Sequence, residues 1–198
     1  MSAWIALAVC FAILVIVVLW AVGAYNRLVA LKNRFKNAFS QIDVQLTRRH
    51  DLIPNLVETT KAYLAHERET LEGVTAARGA AVAAQTRASA DPGDAVAMRG
   101  LLAAEGALGG ALGRLMALSE AYPQLKADAT IKTLTDELSG TENRIAFARQ
   151  AYNDAVMEYN TAREQFPGNL VAGFGDFREA ALWELENPAA KVAPVVKF

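Results

Sequence analysis

The first charged side chain in this sequence is Arg27. From Ala3 to Ala24 the chain runs through Ala, Val, Ile, Leu, Phe and Trp, with one Cys and one Gly. A helix needs roughly 20 apolar residues to cross the hydrocarbon core of a bilayer. Trp4 and Trp20 fall near the two ends, where amphipathic rings favour the interface. Secretory signals have a basic start and a shorter apolar core. Here no Lys or Arg precedes the run, so although Val22-Gly23-Ala24 fits a cleavage site, the segment reads as a retained anchor over 1–24. Basic residues stay on the cytoplasmic side. The C-terminal flank holds Arg27, Lys32, Arg34 and Lys36, which predicts an outside N-terminus and a cytoplasmic domain.

The rest of the chain is long enough to bury one core. It is rich in Ala and Leu and shows no alternating strand pattern, so it reads as all-α. Residues 25–50 carry six basic side chains against Asp43 alone. The whole chain has a formal net charge of -1, which leaves the remainder at -6. A short basic patch beside an anchor suits anionic headgroups, and the acidic remainder argues against nucleic acid. The single cysteine, Cys10, excludes an intrachain disulfide and lies inside the apolar run.

Apolar residues spaced by three and four define four helices. In the first, Leu28, Leu31, Phe35, Phe39, Ile42 and Leu46 face one way, and Pro54 is expected to end it. The second is expected to start around Asp51–Pro54, with Asp51 as its cap, and to show Leu56, Leu64, Leu71, Val74 and Ala81. Asp91-Pro92-Gly93-Asp94 forms a turn before a third helix marked by Met98, Leu101, Glu105, Leu108, Leu112 and Leu115. The fourth carries large residues at Leu138, Ile145, Tyr152, Tyr159 and Phe166, one heptad apart, with Ala148, Ala155 and Ala162 between them. Together they predict an antiparallel, coiled-coil-like four-helix bundle over 25–165. Residues 166–198 read as an irregular apolar tail, placed at the membrane end by the up-and-down path of the helices.

Specific stretches resemble the LemA family: Ser40-Gln41-Ile42-Asp43-Val44-Gln45-Leu46-Thr47-Arg48-Arg49-His50-Asp51-Leu52-Ile53-Pro54-Asn55, His66-Glu67, Tyr122-Pro123-Gln124-Leu125, Thr141-Glu142-Asn143-Arg144, Tyr152-Asn153, Tyr159-Asn160 and Phe166-Pro167. The resemblance implies a bacterial protein with one transmembrane helix and a cytoplasmic helical bundle. It implies no reaction.

The residues themselves give no catalytic pattern, so the chain reads as non-enzymatic and free of cofactors. A di-iron bundle needs Glu-x-x-His pairs, and neither His50 nor His66 provides one. Glu67, Glu105 and Glu142 lie on or beside helix seams, with Arg48, Arg49, Arg144 and Arg149 as candidate ion-pair partners that fix register. Tyr152, Asn153, Tyr159 and Asn160 share one face and are expected to satisfy each other inside the bundle or to form a docking surface. Gly106, Gly109, Gly110 and Gly113 each cost up to about 1 kcal/mol in a helix, which predicts close backbone approach within the bundle or between subunits.

The functional expectation is a membrane-anchored scaffold that forms a homo-oligomer or recruits a membrane-protein partner at the inner membrane. The alternative is direct work on the lipid bilayer. There Arg27, Lys32, Arg34 and Lys36 contact headgroups, and Leu170, Phe174, Phe177 and Trp183 touch membrane or a neighbouring subunit. The tail's other option is to fold back on its own bundle.

Overall fold

The computed structural model describes residues 2–64 and 67–184, with backbone only at Ser2 and Lys126. His66 and the tail beyond Glu184 lie outside the described residues. Among the described residues six helices follow in order: α1 Ser2–Lys61, α2 Arg68–Ala90, α3 Ala95–Ser119, α4 Pro123–Ala127, α5 Ala129–Glu164 and α6 Gly168–Phe174. No strand occurs among the described residues.

The apolar segment of α1 is long and apolar enough to cross a membrane, and its large side chains are exposed. The same helix continues past Arg27 without a break and becomes a wall of the domain. From Ala24 to Lys61 it rises about 55 Å at 1.5 Å per residue.

The expected stop at Pro54 does not occur. Asp51 is inside α1, not a cap, and the next long helix starts at Arg68. The distal connection is therefore 62–67. Proline lacks the N–H that would bond the carbonyl four residues back, here that of His50. Arg78 on α2 supplies the missing donor: its Nε donates to the His50 carbonyl at 2.6 Å. A helix interrupted in sequence is thus repaired by its neighbour. Removing the donor leaves a carbonyl unpaired beside the buried His50, at about 1–3 kcal/mol. Arg78→Ala should lower the thermal midpoint, and adding Pro54→Ala should recover most of the loss. A full loss that survives the double substitution would contradict this pairing.

α1 and α5 run antiparallel, with Arg34 against Glu158, Arg49 against Glu142 and Tyr63 against Asp128. α2 returns along α1, where Gln85 Nε2 donates to the Asp43 carbonyl and carboxylate and sits 2.9 Å from the Thr47 hydroxyl. α3 turns back along α2 after Asp94, whose carboxylate accepts the Ala97 N–H at 2.7 Å and caps the helix. Asp128 caps α5 likewise, accepting from Thr130 and Ile131. The hydrogen bond from the Tyr63 hydroxyl, followed by those two amides, holds its carboxyl below the ordinary range.

The buried side chains form two apolar clusters stacked along the long axis. The membrane-side cluster includes Leu28, Phe35, Phe39, Ile42, Leu46, Met98, Leu101, Ile145, Tyr152 and Tyr159. The distal one includes Ile53, Leu56, Leu71, Val74, Leu108, Leu112, Leu115 and Ile131.

Among the described residues, no close backbone approach is made at Gly106, Gly109, Gly110 or Gly113 of α3. A Cβ added at Gly106, Gly110 or Gly113 meets nothing within 4 Å, and at Gly109 only an Arg49 guanidinium nitrogen at 3.8 Å.

Candidate functional site

Between the two apolar clusters lies a buried polar layer. Arg49 and His50 on α1 meet Glu105 on α3, all three buried. His50 Nε2 lies 2.8 Å from one Glu105 carboxylate oxygen. Arg49 donates to the other at 3.2 Å and also pairs with Glu142 on α5 at 3.0 Å. A carboxylate only accepts, so Nε2 is the donor. One Glu105 side chain thus ties two consecutive residues of α1 to α3, and Arg49 extends the link to α5. In a low-dielectric interior the charges are tolerated because they are paired and hydrogen-bonded.

A groove of about 180 Å³ opens beside this layer, lined by Arg49, Glu105, Gly106, Glu142, Arg149 and Trp183 among others. Arg149 takes no carboxylate among the described residues. Its guanidinium sits 5.6 Å from the centre of the Trp183 ring, and its Nε is buried without a hydrogen-bond partner among the described residues. Arg48 reaches Glu137 at 3.8 Å on the surface. Arg144 lines a shallow cleft with Arg48 and Glu137, and Glu67 accepts a long hydrogen bond of 3.4 Å from the Tyr122 hydroxyl. Of the carboxylates and arginines read from sequence, the structure brings Arg49, Glu105 and Glu142 together, sets Arg149 in the adjoining groove and spreads the others. The sequence reading missed His50 in this layer. A buried histidine outside a ligand-type spacing leaves no periodic signal. Among the described residues no group of three or more His, Cys, Asp or Glu side chains is placed to hold a metal ion.

The Tyr-Asn pairs do not satisfy each other. They hold residues 178–183. Asn160 accepts from the Ala180 N–H at 3.0 Å and donates to its carbonyl at 2.9 Å. Asn153 does the same with Trp183, at 2.8 Å and 3.2 Å. The Tyr159 hydroxyl donates to the Arg178 carbonyl at 2.8 Å, and the Tyr152 hydroxyl lies 2.7 Å from the Ala181 carbonyl and 2.6 Å from that of Pro92. The registers match physically. Seven helical residues advance about 10.5 Å, and three extended residues advance about 10 Å. Each Asn amide thus behaves as a peptide group paired with the extended segment. Burial, with the Asp91 charge adding to it, holds the Tyr152 hydroxyl protonated above its ordinary range.

The tail residues split accordingly. Phe177 and Trp183 are buried in their own chain, while Leu170 and Phe174 are 54% and 95% exposed. Residues 168–174 are helical, where the sequence suggested an irregular segment. The basic flank splits too. Arg34 pairs with Glu158, and Lys36 lies 3.8 Å from Asp91. Lys32 lines a cleft with Asp91, Asp94, Asp176, Arg178 and Glu179. Arg27 makes no ion pair among the described residues.

The stretches that carry the family resemblance fall on this architecture: Arg49-His50 in the polar layer, Pro54 beside it, and Tyr-Asn along the tail. The LemA family model matches residues 38–198. The chain belongs to the LemA family. Magnetosome protein MamQ 2 and MamQ 1 of Paramagnetospirillum magneticum are each 32% identical to this LemA-family chain over 180 residues, covering 83% of it and 66% of their own length. Magnetosome protein MamQ of Magnetospirillum gryphiswaldense is 30% identical over 180 residues with the same coverage. The LemA-family chain therefore spans just under two thirds of the length of these curated relatives.

Proposed function

We propose that this LemA-family protein is a non-enzymatic scaffold, anchored in the bacterial inner membrane with its N-terminus outside. Its cytoplasmic part works as an antiparallel four-helix bundle of α1, α2, α3 and α5 that self-associates or recruits a membrane-protein partner. The observation that carries this reading is α1 itself: one unbroken helix supplies both the apolar span and a wall of the core. A bundle built on its own anchor has a fixed height and tilt, which suits a part that organises others. The open glycine face of α3 supports self-association, because among the described residues nothing approaches Gly106, Gly110 or Gly113 to compensate for the weakened helix. The MamQ relatives carry the name of the magnetosome, and on that likeness we take membrane organisation as the process.

The test is topology in intact cells, with Cys10→Ser as background. A cysteine from Ala3→Cys should react with an impermeant maleimide added outside, and one from Val96→Cys only after lysis. The opposite labelling pattern contradicts the orientation, and labelling of neither residue before or after lysis contradicts the exposure of both ends.

A further inference from the structure

Resting on the membrane-anchored reading, we infer that α6 and the facing part of α1 form a phospholipid-binding foot: Leu170 and Phe174 enter the bilayer interface, and Arg27 takes the headgroup phosphate in the cleft between them. Three observations place it.

The first is height. The elbow between α5 and α6 packs on the last residues of the apolar run. A cleft of about 360 Å³ lies between Trp20, Gly23 and Arg27 of α1 and Phe166, Pro167 and Gly168 of the elbow. That is within the range of small-ligand sites, about 300–1,000 Å³. Beside it, Tyr25 meets Phe177 edge-on, with ring centres 5.2 Å apart. Gly175 permits this approach: a Cβ there would lie 3.2 Å from the Tyr25 ring and 2.5 Å from that of Phe177.

The second is the apolar face. Ala172 is buried against the domain, while Leu170 and Phe174, one turn apart, point away from it. Phe166, at the elbow, is 80% exposed. Phe166 lines the cleft with Trp20, and Gly175, next to Phe174, lies against Tyr25, so this apolar face adjoins the end of the membrane span. An apolar face of this kind settles about 5–10 Å into the headgroup and acyl boundary.

The third is charge. Of the four basic residues in the flank, Arg34 and Lys36 are engaged within the chain, and Lys32 borders a cleft with more carboxylates than cations. The cleft at the elbow contains one charged residue, Arg27. Guanidinium and phosphate pair through two parallel hydrogen bonds, and Trp20 lies where interfacial rings belong. The ligand is therefore a phospholipid with an anionic headgroup.

The experiment uses full-length protein with Cys10→Ser, in phosphatidylcholine vesicles containing phosphatidylglycerol. A fluorophore is placed by Leu14→Cys, Phe174→Cys or Phe147→Cys, and quenched with lipids labelled at known depth. Phe147 is exposed on α5, about 30 Å along the rod from Ala24. Deep quenching is expected at 14, shallow quenching at 174 and none at 147. A label at 174 as unquenched as that at 147, with 14 quenched, overturns the foot. If the label at 14 is also unquenched, the anchored reading falls with it. For the headgroup, spin-labelled phosphatidylglycerol is expected to associate about fivefold more than phosphatidylcholine, the effect of one cation near the surface. Arg27→Gln should abolish that preference and Lys32→Gln should preserve it. An unchanged preference in Arg27→Gln, or full competition by excess inorganic phosphate, overturns the headgroup assignment.

Discussion

Glu105→Ala should destabilise the domain by about 3–5 kcal/mol, the cost of removing one partner from a buried ionic cluster. For a chain of this size that is a fall of roughly 10 °C in the thermal midpoint, readable by circular dichroism of the full-length protein in detergent. The size follows from what remains: His50 is 98% buried and Arg49 nearly so, and each loses its carboxylate. Arg49 retains the more exposed Glu142, while His50 has no other ion-pair partner among the described residues. Glu105→Gln keeps a carbonyl oxygen in place and should cost less. Arg48→Ala, which breaks an exposed pair with Glu137, should change stability by less than about 1 kcal/mol. Equal losses for Glu105→Ala and Arg48→Ala would mean that the layer is not a structural joint.

The second large effect is local. Asn153→Ala and Asn160→Ala should each release residues 178–183, because one substitution unpairs both a backbone N–H and a backbone carbonyl. At about 1–3 kcal/mol per unsatisfied group, amide exchange at Ala180 and Trp183 should accelerate about 100-fold, well before global unfolding. The two substitutions act on one segment, so the double variant should lose less than the sum. Asn143→Ala, exposed on the same helix, should leave exchange unchanged. If Ala180 and Trp183 remain protected in both single variants, the hydrogen bonds are incidental to apolar packing of Phe177 and Trp183.

The amphipathic faces of the four long helices were legible because burial imposes a period that side chains must follow. Leu28, Leu31, Phe35, Ile42 and Leu46 are all buried, as that period requires. Glu105 stood out as a charge within the stripe of Met98, Leu101 and Leu108. Where sequence reading failed, the deciding partner was distant in the chain or was a backbone group. Pro54 looked like a stop because nothing near it shows that Arg78 would satisfy the His50 carbonyl. The heptad spacing of Tyr152-Asn153 and Tyr159-Asn160 was visible, but its partners are carbonyls and amides some 20–30 residues downstream, which carry no residue-type signal. The four basic residues beside the anchor looked alike, and only the fold separates Arg27, facing a cleft at the elbow, from Arg34 and Lys36, which are held by acidic partners. The α3 glycines were expected to allow close backbone approach within the bundle or between subunits, and among the described residues of one chain no such approach is made.

The proposed scaffold works by assembling with copies of itself or with a partner. The direct measurement is the mass of the full-length protein solubilised gently from membranes, by light scattering with the detergent contribution subtracted. The expected result is a discrete multiple of the 21.3 kDa chain, or a defined complex with a co-purifying membrane protein. A single 21.3 kDa chain at every concentration, with nothing bound to it, would contradict the scaffold.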